Sequence, residues 1–80
     1  MKENIADTIK LVITNIMKYE QHDLGENTHL DDLGLNSMSF VQMIVDIEEE
    51  FEIEFPMEDL VANAFVTIAD IERRVLELKK

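Results

Sequence analysis

The 80-residue chain has no cysteine, a single proline and two glycines, and between Lys18 and Arg73 it has no lysine or arginine. Each absence removes a class of function. Without cysteine there is no disulfide framework, no zinc thiolate site and no protein thiol for thioester chemistry. So little glycine and proline favours helices over sheet turns and leaves no Gly-rich loop to cradle a phosphate. No apolar run approaches the roughly 18 residues of a membrane span, and charge and amide groups interrupt the opening Met1 to Ile5. Neither secretion nor membrane insertion is expected, and a cytoplasmic monomer is the natural reading. The missing bases argue against nucleic acid, since a phosphate backbone needs basic contacts. All the acids except Glu3, Asp7 and Glu77 lie inside the base-free stretch, and the net charge is −11. A basic protein surface is the complementary partner.

What is present is enough for a core. Hydrophobic residues make up 46% of the chain, which argues against disorder, although a single domain of this length buries only roughly 60 to 65% of its unfolded surface. Residues 1–80 read as that one domain, with no repeat, low-complexity tract or linker. Ile5, Ile9, Val12, Ile13, Ile16 and Met17 recur at helical spacing and predict an amphipathic helix over 3–18, flanked by Lys2, Lys10 and Lys18. Gln21 to Asn36 holds both glycines and no sustained period, so it reads as a long loop pinned by Leu24, Leu30, Leu33 and Leu35. A loop of that length in a compact domain is commonly functional.

A second helix is expected from Asn36 or Ser37, both good caps, to about Phe51. Phe40, Met43, Ile44, Ile47 and Phe51 can face inward, which leaves Met38, Val41 and Val45 as exposed apolar positions. Pro56 closes an extended link, and Met57 to Ala62 resembles a short helix. Thr67 followed by Asp70 resembles a capping box for a last helix with Ile68, Ile71, Val75 and Leu78 on its core face. Arg73, Arg74, Lys79 and Lys80 lie toward its C-terminus, as the helix dipole favours. The fold class is all-α, a small four-helix bundle of three main helices and one short one.

No motif pairs a nucleophile with a base, so an enzyme is the weakest reading. Chemistry must then be attached to the chain or supplied by a partner, and the Ser37 hydroxyl at an exposed helix start is the best attachment point. His22 and His29 lie among acids, but their spacing fits no zinc or EF-hand pattern. Asp46, Glu48, Glu49, Glu50, Glu52, Glu54, Glu58 and Asp59 make the second helix and its exit one-sidedly acidic. Like charges at Asp46 and Glu50 disfavour a helix by roughly 0.2 to 0.5 kcal/mol, which suggests that the acids serve binding. Gln42, Glu48 and Glu49, with Met38, Val41 and Val45, form a candidate docking face for basic enzymes. Met43, Ile53, Phe55 and Phe65 could line a pocket but read better as ordinary core.

The run Asp32, Leu33, Gly34, Leu35, Asn36, Ser37, Met38, and the later Ile47-Glu-Glu-Glu-Phe-Glu-Ile-Glu-Phe-Pro56, resemble the acyl carrier protein family. The order of helix, long loop, Ser-initiated acidic helix, short helix and final helix extends the resemblance over the whole chain. It implies that a phosphopantetheinyl transferase joins a phosphopantetheine arm from coenzyme A to Ser37. It also implies that the arm's thiol holds biosynthetic intermediates of fatty-acid, polyketide or nonribosomal-peptide synthesis as thioesters for loading and condensing enzymes. The absent cysteine then fits, because the prosthetic group brings its own sulfur. Gly34, Asn36 and Met38 would shape the site, Gly34 by permitting positive φ or a close backbone approach.

Two positions depart from the family pattern. The family most often has Asp where this chain has Asn36, which keeps the capping oxygen and loses the charge; slower modification or a matched transferase would follow. Met38 replaces the Leu usual in fatty-acid carriers and is closer to some aminoacyl and peptidyl carriers. The alternatives are therefore a discrete aminoacyl or peptidyl carrier and, from another class, an unmodified acidic interaction domain.

Overall fold

A computed structural model describes residues 4–61 and 64–79. Three α-helices, α1 (Ile5–Ile16), α2 (Ser37–Phe51) and α3 (Ile68–Leu78), pack around one core, and 3₁₀ turns at Gln21–Asp23, Leu30–Leu33 and Met57–Leu60 punctuate the connections. Ile9 and Ile13 of α1, Phe40, Met43, Ile44 and Ile47 of α2, and Ile68, Ile71 and Val75 of α3 are fully buried, as helical periodicity requires of one apolar stripe per helix. Leu78 is only half-buried at the margin. The all-α class expected from the sequence is the observed one.

The ends of the helices follow local chemistry. Asn4 caps α1 by accepting the Asp7 N–H at 3.1 Å, and the helix stops at Ile16, short of the predicted Lys18, because Met17 turns extended. The predicted start at Glu3 lies outside the described residues. Helix α3 opens on the expected capping box: Thr67 Oγ1 accepts the Asp70 N–H, and the Asp70 carboxylate accepts the Thr67 and Val66 N–H groups. Loop carbonyls satisfy two more N–H groups of α3, Ile68 to Thr28 at 3.2 Å and Ala69 to Glu26 at 2.9 Å. The long loop is thereby fastened to α3 by backbone, and an isolated bridge joins His29 to Thr67. Leu24, Leu30 and Leu33 are buried and Leu35 packs half-buried against the core, so the four leucines pin the loop as their pattern predicted.

Two expectations need correction. The short helix predicted from Met57 is a single 3₁₀ turn, closed by Asp59 N–H on the Pro56 carbonyl at 2.9 Å and ended at Val61, which is extended; Ala62 is outside the described residues. One turn cannot offset the cost of helix nucleation, and a side-chain tie holds this one in place. That tie is Arg74, whose Nε donates to Asp59 at 2.7 Å. Arg73 and Arg74 therefore do not serve the α3 dipole: Arg73 pairs with Asp70 at 3.2 Å, and Arg74 bridges Asp59 and Glu77. Lys79 caps α3 by its backbone while its ammonium lies 5.5 Å over the Phe51 ring, and Lys80 is outside the described residues.

Met43, Phe55 and Phe65 are buried core, with Phe65 packed edge-on to Phe55 at 6.0 Å and tilted to Phe40 at 6.4 Å. Ile53 joins the core half-buried just after Glu52, which takes left-handed φ of 57° at the end of α2. The Glu52 and Ile53 N–H groups both return to the Glu48 carbonyl, a Schellman-type close.

Gly34 adopts φ 78°, and a Cβ there would meet no atom within 4 Å, so the glycine is required by backbone angle rather than by space. Gly34→Ala is expected to lower stability by about 1 kcal/mol, read from urea unfolding. At the start of α3, the Val66 N–H foremost, with Thr67 and Arg73 behind it, holds the Asp70 carboxyl below its usual range against the opposing pull of partial burial. Its stabilisation is full above the ordinary carboxylate range and is lost as pH falls through the depressed folded value. Asp70→Asn should therefore be less stable than wild type at neutral pH, with the difference shrinking as urea midpoints are followed into acid.

Candidate attachment site and docking face

The route into α2 fixes where Ser37 stands. Leu33 is buried, and its carbonyl accepts the Tyr19 hydroxyl at 3.3 Å, so the chain is anchored one residue before the left-handed turn at Gly34. Leu35 packs against the core and delivers Asn36 to the helix start. Asn36 is the N-cap: its Oδ1 accepts the Ser39 N–H at 2.8 Å and the Ser39 hydroxyl at 2.9 Å. Ser37 is consequently the first helical residue, exposed, and among the described residues its hydroxyl has no partner. The N–H groups of Ser37 and Met38 likewise find no acceptor within the described chain. An open hydroxyl beside two free N–H groups at the positive end of a helix suits an anionic substituent.

Ser37 also ends an open depression of about 410 Å³ lined by Met38, Val41, Gln42 and Val45. These are four of the six residues that the sequence marked as a docking face. Met38 is 83% exposed, with Val41 at 41% and Val45 at 37%, a continuous apolar strip on the exposed side of α2. Gln42 Nε2 donates to Asp46 at 2.8 Å, which occupies one carboxylate oxygen in the like-charge pair with Glu50 and, among the described residues, leaves Gln42 Oε1 without a partner. Glu49 and Glu50 are exposed beside the strip.

The acidic face is less uniform than its sequence suggests. Glu48 is half-buried, and its Oε2 accepts the Phe55 N–H at 2.7 Å, so this carboxylate secures the chain leaving α2. Asp59 is buried against Arg74 and cannot serve as a free docking charge, and Glu58 stands 3.9 Å from the same guanidinium. A second depression, about 390 Å³ between the 3₁₀ turn at Met57–Leu60 and α3, is lined by these paired charges together with Ala64 and Phe65. His22 lies between Glu20 and Asp23, and among the described residues no group of three His, Cys, Asp or Glu side chains could hold a metal ion. No helix among the described residues is long and apolar enough to cross a membrane.

Sequence reasoning missed three positioning contacts: Tyr19 to Leu33, Glu48 to Phe55, and Arg74 to Asp59. Each joins residues whose pairing is set by tertiary approach, for which the sequence carries no local signal. Glu48→Ala is expected to lower stability by about 1 kcal/mol through the orphaned Phe55 N–H. Glu49→Ala, at an exposed position, should change it by less than about 0.5 kcal/mol in the same urea measurement.

A family model described as a phosphopantetheine attachment site matches residues 7–75. Acyl carrier proteins from three strains of Clostridium perfringens are each 35% identical over 72 residues, which covers 89% of this chain and 92% of theirs. The match spans the capped start of α2, the exposed strip and the core of all three helices, and the chain belongs to the acyl carrier protein family, whose members bear phosphopantetheine and are carriers rather than catalysts.

Proposed function

We propose that Ser37 is the attachment residue and that the chain delivers acyl groups to biosynthetic enzymes that dock on α2. The carrying observation is the division of labour at the helix start, where Asn36 takes the cap and leaves the Ser37 hydroxyl exposed. Ser39, the other hydroxyl of that turn, is half-buried and donates to Asn36, which disfavours it as the acceptor. In the attachment step Ser37 Oγ gives up its proton and bonds the phosphorus of coenzyme A's pantetheine phosphate, while the adenosine bisphosphate portion leaves. The free N–H groups of Ser37 and Met38 and the dipole of α2 would hold the phosphodiester. When bound, the arm supplies the thiol that carries acyl cargo as a thioester.

The strip of Met38, Val41 and Val45 supports docking through apolar contact, and Glu49 and Glu50 support steering of basic surfaces. Glu48 contributes its charge from a fixed position, since its carboxylate is held by the Phe55 N–H. The name of the Clostridium relatives favours acyl over aminoacyl cargo.

Incubation with coenzyme A and a phosphopantetheinyl transferase should add one phosphopantetheine to the intact mass, and Ser37→Ala should add none. An adduct that survives Ser37→Ala, or no adduct on wild type with several transferases, removes the proposal. Loading of the resulting thiol by acyl-transferring but not by amino-acid-adenylating enzymes is the expected outcome for cargo.

A further inference from the structure

The depression on α2 begins at the proposed attachment atom. Ser37 forms one end of its lining, and Val45 lies about 12 Å further along the helix axis at 1.5 Å per residue. We propose that the phosphopantetheine arm itself lies back along this depression, so that the chain's own prosthetic group covers the docking strip between encounters with partners. The inference rests on Ser37 being the attachment residue.

Three observations lead to this occupant. The lining matches the arm in chemistry and order. Beyond its phosphate the arm carries a carbon with two methyl groups and then two amides, while the depression offers Met38, Val41 and Val45 with one amide, Gln42, among them. Gln42 is already oriented, because its Nε2 is committed to Asp46 and its Oε1 is left as an acceptor for an amide N–H. On the other flank of α2, among the described residues, Phe40, Phe55 and Phe65 are buried and packed ring against ring, which fills that side with the chain's own core.

Charge and tethering act in the same sense. The arm beyond its phosphate is neutral, so the acids at Asp46, Glu49 and Glu50 that would repel an anionic occupant do not oppose it. A covalent tether of this length gives an effective concentration on the order of millimolar, so a contact too weak to be seen between separate molecules is populated within one. A docking enzyme needs the same strip and therefore displaces the arm, freeing its cargo-bearing end at the moment of encounter.

Methyl NMR of the chain before and after modification with coenzyme A tests this. The expected result is a set of shift changes running along α2 from Ser37 to Val45, with nuclear Overhauser contacts from the arm's paired methyls to the Met38 and Val41 methyls and from its distal methylenes to the Val45 methyls. Val45→Glu and Val41→Ser, both at surface positions, should lose those contacts while keeping the core methyl spectrum. An adduct on Ser37 whose shift changes stop at the residues flanking it, with no contact to Val41 or Val45, overturns the inference and leaves the attachment proposal standing. Absence of any adduct on Ser37 overturns both.

Discussion

The first turn of a helix must find acceptors for its N–H groups, and the side chain that supplies one is not free for anything else. In this chain that constraint falls on Asn36. One amide oxygen accepts both the backbone and the hydroxyl of Ser39, so Ser37, next to the cap, keeps a hydroxyl with no partner among the described residues. Had Ser37 been the cap, its oxygen would have turned back onto the helix. The upstream architecture serves the same placement: Tyr19 and the buried Leu33 fix the loop, the left-handed Gly34 reverses it, and Leu35 pins the last step before the cap.

Charge divides in a similar way. With a net charge of −11 and no lysine or arginine from Tyr19 to Glu72, α2 and its exit would be expected to repel themselves. The structure relieves part of this internally. Glu48 accepts a backbone N–H, Asp46 accepts an amide, and Asp59 meets Arg74 reaching across from α3. What remains outward, Glu49 and Glu50 above all, sits beside the apolar strip that starts at Ser37. Long-range attraction and short-range contact are thus laid side by side on one helix, near the residue proposed to bear the cargo.

Most of this was legible in the sequence, and the reasons are specific. The inward set Phe40, Met43, Ile44, Ile47 and Phe51 follows from a 3.6-residue period, and all five are buried. Met38, Val41 and Val45 fall outside that stripe and are exposed, as the same period requires. The Thr67 and Asp70 capping box is a local rule and was found where the rule put it. What the sequence did not reveal depends on approach between distant segments. Arg73 and Arg74 looked like dipole partners of α3 because the 3₁₀ turn that brings Asp59 to Arg74 has no sequence signature. The single turn at Met57–Leu60 looked like a helix because composition does not register that Val61 turns extended. Glu48 looked like a surface acid because the Phe55 N–H returns to it only after the chain has left α2.

The central claim, that capping by Asn36 is what presents Ser37, is tested most directly by the rate of phosphopantetheine transfer to a series of chains altered at position 36. Asn36→Asp and Asn36→Ser keep a capping oxygen, whereas Asn36→Ala does not and allows Ser37 to turn inward as the cap. The account predicts that the Asp and Ser variants are modified at rates within a few-fold of wild type and that the folded Ala variant is modified at least about tenfold more slowly, a change equivalent to roughly 1.4 kcal/mol. Transfer to the Asn36→Ala chain at the wild-type rate would contradict it.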